Sequence, residues 1–238
     1  MGLTAYNEII MVSRVDDQEA ILTLLQNMYA TDRKAEFNFM NVYKELPVTS
    51  SGTIVEFKEK TVEFAMNATQ FAAITLSNEV LIQSNTMNTN IIGKALEFDL
   101  RRHQITLGDF SYAEIHADKR VSVRVQLKMP INLQMVVDGA QLNGVIRDIS
   151  LNGVRVTTFS GDILEKASSI ELRIKLLHNG SGQLVETLIP SRLVRMEKSG
   201  VQSHCAMVFN HTALSEQVLS TFIYQRQLEI IKELRDKI

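Results

Sequence analysis

The chain has 238 residues, of which 45% are hydrophobic, with 25 Lys and Arg against 27 Asp and Glu. That length suits one large domain or two small ones, while eleven Gly, three Pro and no Trp exclude collagen-like and low-complexity chains. A single cysteine, Cys205, has no internal disulfide partner and the five histidines lack metal-ligand spacing, so no disulfide scaffold or metal module is expected and a reducing cytosol fits best.

The first residues, MGLTAYNEIIMVSRVDD, lack a basic segment followed by a long apolar run, so no signal peptide is expected. No uninterrupted apolar stretch approaches ~20 residues, so none is expected to span a membrane. VDDQEAILTLLQNMY, residues 15–29, reads as a helix. Asp16 or Asp17 can cap it, Glu19 lies in its first turn, and Ile21, Leu24, Leu25 and Met28 fall at helical spacing. Strand-like segments come next: AEFNFMNVY, GTIVEFK, TVEFAM, EVLIQS, KALEFDL and HQITL. Alternation is clear in TVEFAM, where Val62, Phe64 and Met66 share a face. KEK at 58–60 suits a hairpin turn, and NATQFAAITL reads as a short helix with Asn67 as its cap.

GDFSYAEIHADK, residues 108–119, is polar without a clear period and reads as a linker. Strand patterns then resume in RVSVRVQL, INLQMVV, LNGVIRDIS, GVRVTTF, SIELRIKLL, LVETLIPSRLVRM and HCAMVF, with DGAQ and NGSG as turns. The chain closes with a helix over TALSEQVLSTFIYQRQLEIIKELRDKI, capped by Thr212. Its apolar stripe runs through Leu214, Val218, Leu219, Phe222, Ile223, Ile231 and Leu234. The stripe suits packing on its own barrel. Its length also permits a partner helix, which leaves a homodimer open. The expected fold is therefore mainly β: two small β-barrel domains, residues 1–114 and 115–238, with an N-terminal helix and a closing C-terminal helix.

Charge changes sign between these halves. Residues 1–115 hold 9 Lys and Arg against 15 Asp and Glu, net −6, and residues 116–238 hold 16 against 12, net +4. An acidic front half argues against a broad nucleic-acid-binding face, whereas a mildly basic back half suits a small anionic ligand. In RVSVRVQL, Arg120 and Arg124 alternate with Val121, Val123 and Val125 and so share a face. In a regular strand their Cα atoms would stand about 13 Å apart, from steps of ~3.3 Å. Long side chains at that spacing can converge on a ligand with several phosphates or bases. Guanidinium forks onto phosphate oxygens, stacks on purines and donates to O6 and N7 of guanine. Alone, the pair reads as a solvated strand face.

The second signal is DISLNG, residues 148–153. Asp148 and Ser150 project to one side, and a hairpin turn here would need Gly153 for its backbone freedom. One reading is a turn in which Asp148 or Ser150 bonds its own backbone. In the other, the two carboxylate oxygens of Asp148 accept the adjacent N1–H and N2–H donors of guanine, a donor pair that adenine lacks. Ser150 adds a hydroxyl contact and Gly153 admits the ligand close to the backbone.

Arg120-x-x-x-Arg124 and then Asp148-x-Ser150-x-x-Gly153, in an all-β context with a terminal helix, resembles the signature of PilZ domains. The resemblance covers the strands from Arg120 to Phe209 and the closing helix, about half the chain. It implies a β-barrel that binds the bacterial second messenger cyclic di-GMP, with no cofactor. It implies that Arg120 and Arg124 hold phosphates and the Hoogsteen edge of guanine, that Asp148 and Ser150 read guanine, and that Gly153 shapes the turn. Lys119 stands where the family often has a further basic residue that accommodates a second, stacked ligand. GTIVEFKEKTVEFAM and IIGKALEFDLRRHQITL are similar to the N-terminal barrels that precede PilZ in flagellar-brake proteins; the leading helix departs from that pattern.

The expected protein is a cytoplasmic receptor. Cyclic di-GMP would bind at the domain junction, rearrange the two barrels, and so control a protein target such as motor, secretion or polysaccharide machinery. The alternative is a PilZ-fold interaction adaptor that binds no ligand. No Gly-rich phosphate loop, nucleophile–base arrangement or paired carboxylates in a recognisable context stand in the sequence, so an enzyme, including a flavin-holding split barrel, is not expected.

Overall fold

The computed structural model describes residues 6–115, 122–178 and 182–237. The described chain divides into two compact units. Among these residues the first comprises 6–43, 47–115 and the chain from Ile231 onward; the second comprises Lys44–Leu46 and 122–230.

The first unit opens with β1 (Tyr6–Ile9), a short strand the sequence pattern did not reveal, and α1 (Arg14–Thr31). Then come β2 (Glu36–Tyr43), β3 (Leu46–Lys58), β4 (Thr61–Met66), α2 (Ala68–Ser77), β5 (Glu79–Gln83), β6 (Asn90–Asp99) and β7 (Gln104–Ile115). The strands lie in the order β1-β7-β4-β3-β2-β5-β6, and β6 pairs back onto β7. Six of these strands thus close on themselves, which leaves the ring without a free edge. Alternating Phe37, Phe39, Val62, Phe64, Ile105 and Leu107 fill the interior. Phe64 meets Phe37 and Phe39 edge-on, with centroids 5.8 and 5.2 Å away. The leading helix is part of this core: Ile21, Leu22 and Leu25 of α1 pack into the same cluster.

Two local expectations are corrected here. The cap of α1 is Ser13, whose hydroxyl accepts the Asp16 N–H at 3.2 Å. Asp17 is instead buried, its carboxylate accepting the Met11 and Val12 amides at 2.8 and 3.1 Å. A carboxylate can serve the preceding turn as well as its own helix, and sequence alone does not tell which. Residues 108–115, read as linker, are the second half of β7. Exposed Asp109 and Glu114 hid the strand, although Gly108, Phe110 and Ala113 are buried and Tyr112 and Ile115 pack against the core; Lys119 and its neighbours at 116–121 lie outside the described residues. Asn67 does cap α2, accepting the Gln70 amide at 2.9 Å, and the turn at residues 59–60 joins β3 to β4.

The second unit holds β8 (Arg124–Val137), β9 (Ala140–Ser150), β10 (Gly153–Thr158), the short α3 (Gly161–Glu165), β11 (Ile170–His178), β12 (Gln183–Ser199), β13 (Gln202–Phe209) and α4 (Ala213–Arg235). Its strands form a closed barrel in the order β10-β13-β12-β11-β8-β9. Asp138 and Gly139, both at positive φ (48° and 85°), make the β8–β9 turn, the twist such hairpins need. NGSG falls partly outside the described residues. RVQL and INLQMVV are one strand, not two. Register passes from Gln126–Asp148 to Ile131–Ile146, so Leu127–Pro130 bulge out of the ladder, where Pro130 has no N–H to contribute.

Thr212 caps α4 by accepting the Ser215 amide at 3.2 Å. The buried stripe of α4 is Leu219, Ile223, Ile230 and Leu234, with Arg226 among them; Leu214 is 70% exposed. The stripe is thus rotated from the one read in sequence. Arg226 Nε donates to the Gln126 carbonyl at 2.9 Å, so the buried guanidinium ties the helix to β8.

Candidate functional site

Arg124 begins β8, and Val125 beside it is wholly buried. Alternation therefore turns Arg124 and Gln126 to the outer face of the barrel. The strand begins at Arg124, later than the sequence pattern suggested, so Ser122 and Val123 lie outside it. Val123 is 41% exposed and outside the strand, because Arg124 pairs with Ser150, the last residue of β9, beyond which the chain turns away. Lys119 and Arg120 lie outside the described residues.

Ser150 and Gly153 are register partners, so β9 and β10 form a hairpin with Leu151 and Asn152 as its loop. The loop is held from behind: the Asn152 carbonyl accepts the Phe209 amide at 2.9 Å, and His211 Nε2 reaches the Leu151 carbonyl. A carbonyl only accepts, so that ring nitrogen carries the proton. Ile149 faces the core, and Asp148 and Ser150 face outward with Arg124. One irregularity in β9 sets this up: register steps from Asp148–Arg155 to Ile146–Val156, so Arg147 is an extra residue. The bulge lets Arg147 and Asp148 both leave the core while Ile146 and Ile149 stay in it.

Asp148 is the centre of the outer face. Its side chain is 7% exposed, with Oδ1 3.2 Å from Arg124 Nε and Oδ2 3.6 Å from Arg155 Nη1. Two guanidiniums thus flank one carboxylate, in a setting where an unpaired charge would be costly. Ser150 donates its hydroxyl to the Gly153 carbonyl at 3.1 Å, so the turn-bonding alternative describes Ser150. The role of Gly153 is corrected. Its φ is not positive; positive φ among described glycines falls at Gly139, Gly182 and Gly200. A Cβ at Gly153 would instead run into the Met207 carbonyl oxygen of β13. Close strand approach, not backbone freedom, requires glycine here.

The structure thus brings Arg124, Asp148, Ser150 and Gly153 onto one outer face of three adjacent strands. It adds Arg155, which the sequence motif did not include. The signal was available: if Ser150 pairs with Gly153 across a two-residue loop, Asp148 must stand opposite Arg155.

No curated protein matches the chain at a significant level. Among solved structures the chain is similar to the inhibitor of motility MotI/DgrA of Bacillus subtilis, at 14% identity, over 82% of this chain and 97% of that one, with a TM-score of 0.38. It is similar to Escherichia coli YcgR in complex with c-di-GMP, at 12% identity over 91% and 93%, with a TM-score of 0.36. It is likewise similar to the MrkH–c-di-GMP complex of K. pneumonia, at 11% identity over 95% and 100%, with a TM-score of 0.39. The PilZ domain family matches residues 118–225, a span that contains the Asp148 hairpin, the arginine paired with it and the barrel that carries both. The chain carries a PilZ domain over residues 118–225.

Proposed function

We propose that this chain is a cyclic di-GMP receptor whose ligand binds the outer face of β8, β9 and β10 around Asp148. The observation that carries this reading is the nearly buried Asp148 carboxylate held between Arg124 and Arg155 on the outer face of a PilZ domain. Carboxylate oxygens meet the N1–H and N2–H of guanine, and Arg124 serves a phosphate or the O6 and N7 edge. Ser150 adds a hydroxyl. Gly153 keeps β10 tight against β13, and with it the hairpin in place. Lys119 and Arg120 supply the remaining cations.

In this reading residues 1–114 and 115–238 are separate domains, the first a flagellar-brake-like barrel, and the ligand binds at their junction in the cytoplasm. Binding fixes the linker and favours one domain arrangement. Only differential affinity for that arrangement can do so, and a preference of about 100-fold corresponds to about 2.7 kcal/mol. The favoured arrangement engages a protein target such as motor, secretion or polysaccharide machinery; the chain itself catalyses nothing. No helix among the described residues is long and apolar enough to cross a membrane.

Isothermal calorimetry with cyclic di-GMP, using GTP and cyclic di-AMP as controls, tests the reading. Wild type binds the guanine dinucleotide selectively, and Arg124→Ala loses binding while keeping its melting temperature within a few degrees. Unchanged binding by Arg124→Ala removes the site assignment. One observation favours the alternative, a PilZ-fold adaptor that binds no ligand: both oxygens of Asp148 already have guanidinium partners. Folded wild type that fails to bind would decide for the adaptor.

A further inference from the structure

Arg155 stands directly across from Asp148 and is the looser of its two partners. The pair is longer, 3.6 Å against 3.2 Å, and the Arg155 side chain is 41% exposed against 20% for Arg124. Water weakens such a pair. On its other side Arg155 faces Ala206 of β13, and the next outward residue of its own strand is Gly153. No bulky side chain at those positions opposes its movement, so Arg155 can leave Asp148 without unpacking the barrel.

We propose that Arg155 is a specificity-determining residue of the ligand site that changes partner on binding; the inference rests on the cyclic di-GMP reading above. In this structure its guanidinium stands against Asp148 Oδ2. Guanine presents two adjacent donors, and a carboxylate meets both only with both oxygens. Guanine therefore displaces Arg155, and the released fork turns to the phosphate oxygens of the same ligand. Adenine offers one exocyclic donor beside an acceptor nitrogen, so it cannot engage both oxygens and leaves Arg155 in place. The residue thus rewards the right base and blocks the wrong one.

The test titrates the full chain, as wild type, Arg155→Ala and Arg155→Lys, with cyclic di-GMP and with cyclic di-AMP, and follows the Arg155 Nε–H resonance of wild type by NMR. Arg155→Ala is expected to weaken cyclic di-GMP binding about tenfold, the effect of one charge-assisted hydrogen bond. It also narrows the preference over cyclic di-AMP, Arg155→Lys recovers part of the affinity, and the wild-type resonance shifts on titration. Wild-type affinity or tighter in Arg155→Ala overturns the proposal and leaves the receptor reading standing. If Arg155→Ala does not fold, an unmoved wild-type resonance overturns it alone. Wild type that binds no cyclic di-GMP removes both.

Discussion

Gly153→Ala separates two reasons for a glycine. A left-handed residue resists alanine through its own backbone, at about 1 kcal/mol. Gly153 is not left-handed. A Cβ there meets β13: the Met207 carbonyl oxygen first, then its carbon at 3.4 Å and Val208 Cα at 3.5 Å. Only the carbonyl oxygen is an obstacle, the other two atoms being at ordinary contact distance, but it is backbone and cannot rotate aside, so β10 must part from β13 at the Gly153–Val208 pair. Overpacking typically costs 1–3 kcal/mol, and a rigid neighbour puts this case at about 2–3 kcal/mol. Native-state hydrogen exchange on β10 and β13 reads the effect locally, as a rise of about 30- to 100-fold in exchange rates at roughly 1.4 kcal/mol per decade. Gly139→Ala is the control: its φ is 85° with nothing within 4 Å of the added Cβ, so only the smaller conformational cost applies. Exchange in Gly153→Ala that matches wild type, or that merely equals Gly139→Ala, refutes the steric account.

Ser13→Ala removes the acceptor for the Asp16 amide and is expected to cost about 1 kcal/mol, seen as faster exchange in the first turn of α1; Asp16→Ala costing more than Ser13→Ala would contradict the cap assignment. Asp138 is held at a pKa of about 2 by the Ser168 hydroxyl first and then by the Ser168 and Ser169 amides. A depressed carboxylate contributes stability above its unfolded pKa, so that contribution fades as pH falls from about 4 to about 2, and Asp138→Asn should show a flatter acid limb in a pH series of thermal melts. Cys205 lies inside the second barrel, and burial pushes its thiol up, which disfavours the reactive thiolate; a thiol reagent should label it only in denaturant, and rapid labelling of the native chain would contradict its placement.

Much of this fold was legible because alternation records burial. Val62 and Phe64, or Val154 and Val156, are apolar because they face an interior, and the period of two survives in sequence. Turn chemistry was equally local: Asp138-Gly139 and Asn67 act within a few residues of themselves. The linker reading failed at residues 108–115 because that stretch is a strand through its pairing with β6 and, from the far end of the unit's sequence, with β1. Splitting β8 at Pro130 failed for the opposite reason. The alternation lapses over Leu127–Pro130, and a bulge carries the strand past them.

The sequence by itself determined that Arg124, Asp148, Ser150 and Gly153 belong to one motif, since residue identity and spacing are covalent facts. Tertiary structure alone decided the rest of the site. That Asp148 is nearly buried between two arginines, Arg124 and Arg155, and that Gly153 is required by the carbonyl of Met207, both depend on strands meeting across the barrel. Register and bulges set those meetings, and they are settled by packing the whole sheet rather than by any one segment of chain.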